Sequence, residues 1–206
     1  MKNNNIHNFI GISIGKGASD DSGIAVIDSK DELIRIDKAY SIDELKLIID
    51  NLSGKSNSII CIDMPEYYEM LNGKWRIESK HYKCFNLEPD DNLSDWKYRY
   101  SDRGTGLYKD LLDKNYRVYR YDSDYTKTIL NIHSYMKDRS PAGCKFLQLN
   151  IKEKLGIKNL PSNMMPISVL DAILGAYTAK IIASGTKDED YHFNAEHKDI
   201  QIVSIK

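Results

Sequence analysis

Three short β-type runs before Asp37, then a helix, then an apolar fourth strand that ends in an acid constrain this chain more than any other feature. Phe9-Ile10-Gly11-Ile12-Ser13-Ile14-Gly15 reads as the first strand. Gly23-Ile24-Ala25-Val26-Ile27-Asp28 reads as the second and Glu32-Leu33-Ile34-Arg35-Ile36-Asp37 as the third. The connections are short: a glycine-rich loop from Gly15 to Gly23, then the turn Ser29-Lys30-Asp31. That spacing is the mark of an antiparallel meander. Ser41 and Glu44 stand three apart, the spacing of a capping box, where each side chain satisfies a free N–H of the first helical turn. Leu45, Ile48, Ile49 and Leu52 continue at helical period. Ser58-Ile59-Ile60-Cys61-Ile62-Asp63 is then a buried-type strand, stopped by Pro65. Strand, strand, strand, helix, strand is the order of an α/β domain.

The second half is less regular. Residues 66–103 are polar, aromatic and charged with weak periodicity, and read as an insertion or lobe within a single domain spanning 1–206. Helices are expected at 107–115, 126–137, 145–155 and 167–184, with strands at 116–121 and 199–205. The helix at 167–184 is the clearest, with Val169, Leu170, Ile173, Leu174, Tyr177, Ile181 and Ile182 on an apolar face and Gly185 at its end.

Bulk properties narrow the function classes. A chain of 206 residues is the size of one domain, and 41% hydrophobic with 29% charged residues is a folding composition. The net charge of -1 supplies no global positive field, so a nucleic-acid partner requires a local basic face. No stretch is expected to approach the roughly 18–20 apolar residues of a membrane span. The polar start, Met1-Lys2-Asn3-Asn4-Asn5, does not read as a signal peptide. Three cysteines, Cys61, Cys84 and Cys144, are too few and odd in number for a disulfide framework, which points to a reducing, cytoplasmic setting.

Two acids carry the chemistry. Asp63 ends a buried strand, and Asp171 lies in the first turns of the most apolar helix. A buried carboxylate is costly without a partner. Two brought together repel, and a divalent cation is their natural partner, as in phosphoryl-transfer sites. The plainer alternatives are that Asp171 complements a helix dipole and that Asp63 caps the turn after its strand.

Several ordered motifs resemble the DUF429 family of RNase H-like nucleases, related to RuvC and YqgF. Gly11-Ile12-Ser13-Ile14 with Gly23-Ile24-Ala25-Val26-Ile27 is similar to that family's opening hairpin. Ile60-Cys61-Ile62-Asp63-Met64-Pro65 resembles its strand-Asp-x-Pro motif. Leu170-Asp171-Ala172-Ile173-Leu174-Gly175-Ala176-Tyr177-Thr178-Ala179 resembles its Asp-Ala-x-x-x-Ala helix. Gly104-Thr105-Gly106-Leu107-Tyr108, the strand Tyr116-Arg117-Val118-Tyr119 and the C-terminal Asn194-Ala195-Glu196 follow in the family's order. The resemblance implies an RNase H-like fold: a central mixed sheet flanked by helices, with an insertion lobe after the fourth strand. It also implies acids on the first strand, the fourth strand and the last long helix that converge on Mg2+ or Mn2+ for phosphodiester hydrolysis. Asp63 and Asp171 fill two of those places as catalytic metal ligands. The first-strand place is Ser13, which has no charge and binds a metal at best through water. Asp20, Asp21 and Glu66 are the candidate substitutes for the missing acid. Two expectations follow: a metal-dependent nuclease, or an inactive RNase H-like scaffold that binds nucleic acid or protein.

Lys74, Arg76, Lys80 and Lys83, interleaved with Trp75 and Tyr82, suit phosphates and stacked bases, as do Trp96-Lys97-Tyr98-Arg99-Tyr100 and Arg103. Packing of a small lobe is the alternative. Gly15-Lys16-Gly17 lacks the rest of a phosphate-loop pattern and reads as a hairpin turn. His81 and Cys84 have half-site zinc spacing with no second pair. Ser13, His133 and Asp63 have no nucleophile-elbow context for a triad. Cys61 reads as core, and His192 and His197 as isolated histidines.

Overall fold

The computed structural model describes residues 8–15, 21–52, 58–63, 74–75, 85–86, 96–132, 134, 136–137, 139–185, 187, 189–197 and 200–206. The strands are β1 (Asn8–Ser13), β2 (Ser22–Ile27), β3 (Leu33–Ala39), β4 (Ser58–Asp63), β5 (Lys74–Trp75), β6 (Phe85–Asn86), β7 (Arg117–Tyr121), β8 (Tyr191–His197) and β9 (Ile200–Ile205). The helices are α1 (Ile42–Asp50), α2 (Trp96–Asp113), α3 (Ser123–Ile129), α4 (Pro141–Lys154) and α5 (Ile167–Ser184).

Seven strands form one mixed sheet in the order β3-β2-β1-β4-β7-β9-β8. The β1-β2-β3 meander is antiparallel, whereas β4, β7 and β9 extend it in parallel from β1. β8 closes the far edge antiparallel to β9. A meander joined through its first strand to parallel strands that arrive by helical crossovers is the RNase H-like arrangement, and the expected fold class is met.

Strand alternation divides the core into two layers. Ile10, Ile12, Ile24, Val26, Ile60, Ile62 and Val118 pack on Leu45 and Ile49 of α1 and on Leu107, Tyr108 and Leu111 of α2. Phe9, Ala25, Ile27, Ile59, Cys61 and Tyr121 pack on α4 and α5. Burying each large aliphatic side chain contributes about 1.5–3 kcal/mol, so these layers hold the sheet.

Local sequence explains the helix ends. Ser41 accepts from Glu44 N at 3.1 Å, while Glu44 Oε2 accepts from Tyr40 N at 2.8 Å, one residue earlier than in a standard capping box. Ser140 caps α4 in the same way, with Pro141 at its first position.

α5 is 18 residues long and apolar enough in composition to cross a membrane, which corrects the expectation that no stretch approaches a span. Here it is the core helix, with Val169, Leu170, Ala172, Ile173, Leu174, Ala176, Ala179 and Ile182 all buried. Two glycines seat it on the sheet. A Cβ on Gly11 would lie 1.8 Å from Ala172 O, and one on Gly23 would lie 2.2 Å from Ser168 O. Only a residue without a Cβ lets the helix backbone come this close. The start of α5 is fixed by the buried Gln148, which donates to Pro161 O (2.7 Å) and Asn163 O (3.0 Å) and accepts from Met165 N (3.2 Å). Lys180 pairs with Asp31 in the β2-β3 turn and ties down the other end.

Several elements differ from the sequence reading, among them the helix expected at 145–155, which is Pro141–Lys154. The helix expected at 107–115 begins at Trp96, inside the segment expected as an insertion. The helix expected at 126–137 is Ser123–Ile129, because Asn131 turns into the left-handed region at φ 52. β8 was not foreseen.

Candidate functional site

Ser13, Asp63 and Tyr121 occupy the C-terminal ends of β1, β4 and β7. They are neighbours in register, Ser13 opposite Asp63 and Asp63 opposite Tyr121. Alternation places all three on the α5 side of the sheet, one residue beyond Ile12 and Ile62 on the other side. The strand order runs away from β1 and β4 in opposite directions, to β2 and β3 on one side and to β7 and β9 on the other. The carboxyl ends of strands at such a switch point are where open α/β sheets bind ligands.

Asp63 accepts from the Ser13 hydroxyl at 3.4 Å and from the Ser123 backbone N–H at 3.2 Å. Its described partners are thus Ser13 on β1 and the first turn of α3, and the turn after its own strand lies outside the described residues. Burial pushes the Asp63 carboxyl up to about 7; Asp171, then Asp122 and Asp124, add to the rise, and the Ser123 N–H opposes it.

Asp171 comes from α5 and is 8% exposed. No acid lies in the first turn of α5, so the helix-dipole reading of Asp171 fails: that field fades within one turn. The Tyr121 hydroxyl donates to the Asp171 backbone carbonyl, and a Cβ on Gly175 would lie 2.7 Å from the Tyr121 ring. Tyr121 therefore lies against α5 and fixes how Asp171 is presented to β4.

Sequence reasoning expected the helix α3 with other bounds but missed its part in the site. Asp122 caps it, accepting from Tyr125 N at 2.9 Å. Lys127 reaches back so that its Nζ lies 2.8 Å from Asp171 Oδ1 and 3.1 Å from Asp124 Oδ1. The Lys127 side chain is only 3% exposed. The local signal was the Asp124/Lys127 pair at helical spacing just after a strand, but burial of the lysine is a tertiary outcome.

The remaining candidates divide. Asp21 pairs with Lys38 at 2.9 Å, on the meander, and has no described contact with Asp63. Asp20, Glu66, Arg76, Lys80, His81, Lys83, Cys84 and His133 lie outside the described residues, and of Lys74 only its place in β5 is described. Cys61 is core, as expected, and burial raises its thiol pKa well above the usual range.

The donor chemistry can be tested against the divalent ion that the fold implies. Asp63 and Asp171 offer hard oxygen donors of the kind Mg2+ and Mn2+ take. Asp171, Asp122 and Asp124 each act on Asp63, and Lys127 pairs with two of these three, Asp171 and Asp124. Among the described residues no group of three or more His, Cys, Asp or Glu side chains is placed to hold a metal, and Ser13 brings no charge. Among the described residues the chain offers such an ion two carboxylates, one of them already paired with Lys127.

No protein-family model and no curated protein matches the chain, so membership of DUF429 is not borne out by a family match. Among solved structures the chain is similar to Thermus thermophilus RuvC, at 14% identity and a TM-score of 0.49, over 86% of this chain and 96% of that one. It is similar also to T. thermophilus RuvC in complex with a Holliday junction substrate, at 12% identity and a TM-score of 0.48, over the same 86% and 96%. Residue roles do not carry over at such identities.

Proposed function

We propose that this protein is a metal-dependent phosphodiesterase of RNase H-like fold, a nuclease-type hydrolase. Asp63 and Asp171 hold one Mg2+ or Mn2+ ion, and Ser13 stands at the place without an acid and reaches the ion through water. The observation that carries this reading is that Tyr121, opposite Asp63 in register, donates to the Asp171 backbone carbonyl, which brings the two acids together at the strand ends, where Asp171 adds to the rise in the Asp63 pKa. Such repulsion is what a divalent cation relieves. The bound ion would polarise a phosphoryl oxygen and activate water. The chain's own part is orientation: the Ser123 N–H aims Asp63 Oδ1, and Tyr121 holds the α5 turn that carries Asp171.

Within that reading the family is DUF429, the domain is one unit over 1–206 with 66–103 as its inserted lobe, and the setting is cytoplasmic. The partner is nucleic acid, with Lys74, Arg76, Lys80 and Lys83 positioning phosphates. A second reading, an inactive scaffold that binds nucleic acid or protein, is favoured by uncharged Ser13 opposite Asp63.

The test is calorimetric titration of Mn2+ into the wild type and Asp63→Asn, followed by a DNA and RNA cleavage screen. Binding that is lost in Asp63→Asn, with cleavage lost in both Asp63→Asn and Asp171→Asn while the fold survives, supports the enzyme. Retained cleavage in both variants sinks it. Nucleic-acid binding without Mn2+ binding or cleavage moves the conclusion to the scaffold.

A further inference from the structure

We propose that Lys127 is the resident cation of this site: its ammonium holds the carboxylate that a divalent ion needs, so an ion binds only by taking Asp171 from Lys127. The inference rests on Asp63 and Asp171 as metal ligands and concerns what balances their cluster when no ion is bound.

Lysine is rarely buried, because its ammonium loses strong hydration. Here the side chain is 3% exposed and its Nζ lies within 2.8 Å of Asp171 and 3.1 Å of Asp124. Burial against two acids on different helices is worth its desolvation only as charge compensation. The short α3 makes this possible. It starts at once after β7, capped by Asp122, and its seven residues, about two turns, return Lys127 toward α5. Asp124 anchors the lysine from its own helix, so Asp171 is the contact that can be exchanged while the ammonium keeps a partner.

Ser13 points the same way. The β1 position opposite Asp63 brings no negative charge, and α3 brings a positive one. Both features reduce the negative charge of the cluster, and both weaken its hold on a dication relative to an internal ammonium. An ion must therefore outcompete Lys127. That makes occupancy depend on ion concentration, or on a phosphate ligand that arrives with the ion and takes up the released ammonium.

Mn2+ is titrated by calorimetry into wild type, Lys127→Met, Lys127→Arg and the double variant Lys127→Met with Asp63→Asn. The expected result is Mn2+ binding at least tenfold tighter in Lys127→Met, unchanged in Lys127→Arg, and lost in the double variant. Mn2+ should also raise the melting temperature of Lys127→Met more than that of the wild type. If the wild type binds Mn2+ and Lys127→Met binds it no tighter, Lys127 does not compete and only this inference falls. If neither folded protein binds Mn2+ at millimolar concentration, the metal reading falls with it. Should Lys127→Met fail to fold, reductive methylation of the wild type decides, read by mass spectrometry at Lys127. Faster labelling with Mn2+ supports displacement, and equal labelling with Mn2+ bound overturns it.

Discussion

Ile12 and Ser13, and likewise Ile62 and Asp63, are adjacent in the chain and lie on opposite sides of the same sheet. On the α1/α2 side, isoleucines pack against helices with nothing polar asked of them. On the α5 side, the next residues along are a serine and a carboxylate facing Asp171. The strands thus do two jobs at a spacing of one residue: one side supplies cohesion, and the other gives some up to hold like charges together.

The largest effect should come from the seat of α5. Gly11→Val places atoms where Ala172 O already lies, so α5 must move; a loss of more than about 4 kcal/mol, seen as failure to fold cooperatively in urea, is expected. Wild-type stability in this variant would mean that α5 does not rest on β1 as described. Next comes the α1/α2 side. Ile62→Ala should cost about 2–5 kcal/mol in urea melts through the cavity it leaves, while Mn2+ affinity stays unchanged in the folded fraction. A changed affinity would break the separation of the two sides.

Asp63→Asn should do the reverse, losing ion binding while gaining stability. The folded chain keeps the Asp63 proton up to about pH 7, whereas the unfolded chain loses it near 3.8. Between those values the folded state binds more protons, so stability falls as pH rises and is flat with respect to Asp63 below that window. Without metal, Asp63→Asn should therefore be more stable than the wild type by about 1–3 kcal/mol at pH 8 and close to it at pH 4. A variant less stable at pH 8 would show that Asp63 is net stabilising when charged. The smallest effect is expected from Asp122→Asn, which keeps a capping side chain but removes one charge acting on Asp63. Carboxyl NMR should show the Asp63 midpoint lower than in the wild type; an unmoved midpoint would remove Asp122 from the cluster.

What the sequence disclosed follows the range of the forces involved. The meander, α1 and β4 were legible because alternation, Ser41 with Glu44, and Pro65 act within a few residues. Asp63 and Asp171 were legible as types, acids at costly places, and the resemblance joined them. Lys127 was not, because nothing within α3 says that its ammonium will be buried against α5. Asn131 ended α3 early through one left-handed residue, a signal that periodicity passes over. β8 escaped because its partner, β9, was read as a lone tail.

The parallel pairing of β1 with β4, and the seating of α5 on both, carry a consequence for how the protein is made. Ser13 meets Asp63 and Tyr121 meets Asp171 across separations of 50 residues each. Contacts this distant in sequence close late, because the intervening chain must first surrender its freedom. While the chain is still emerging from the ribosome, the β1–β3 hairpins can form, yet Gly11 and Gly23 lie bare and Asp63 has neither Asp171 nor Lys127 beside it. The site is thus absent from every nascent chain that ends before α5, and it forms only when α5 closes over β1 and β4.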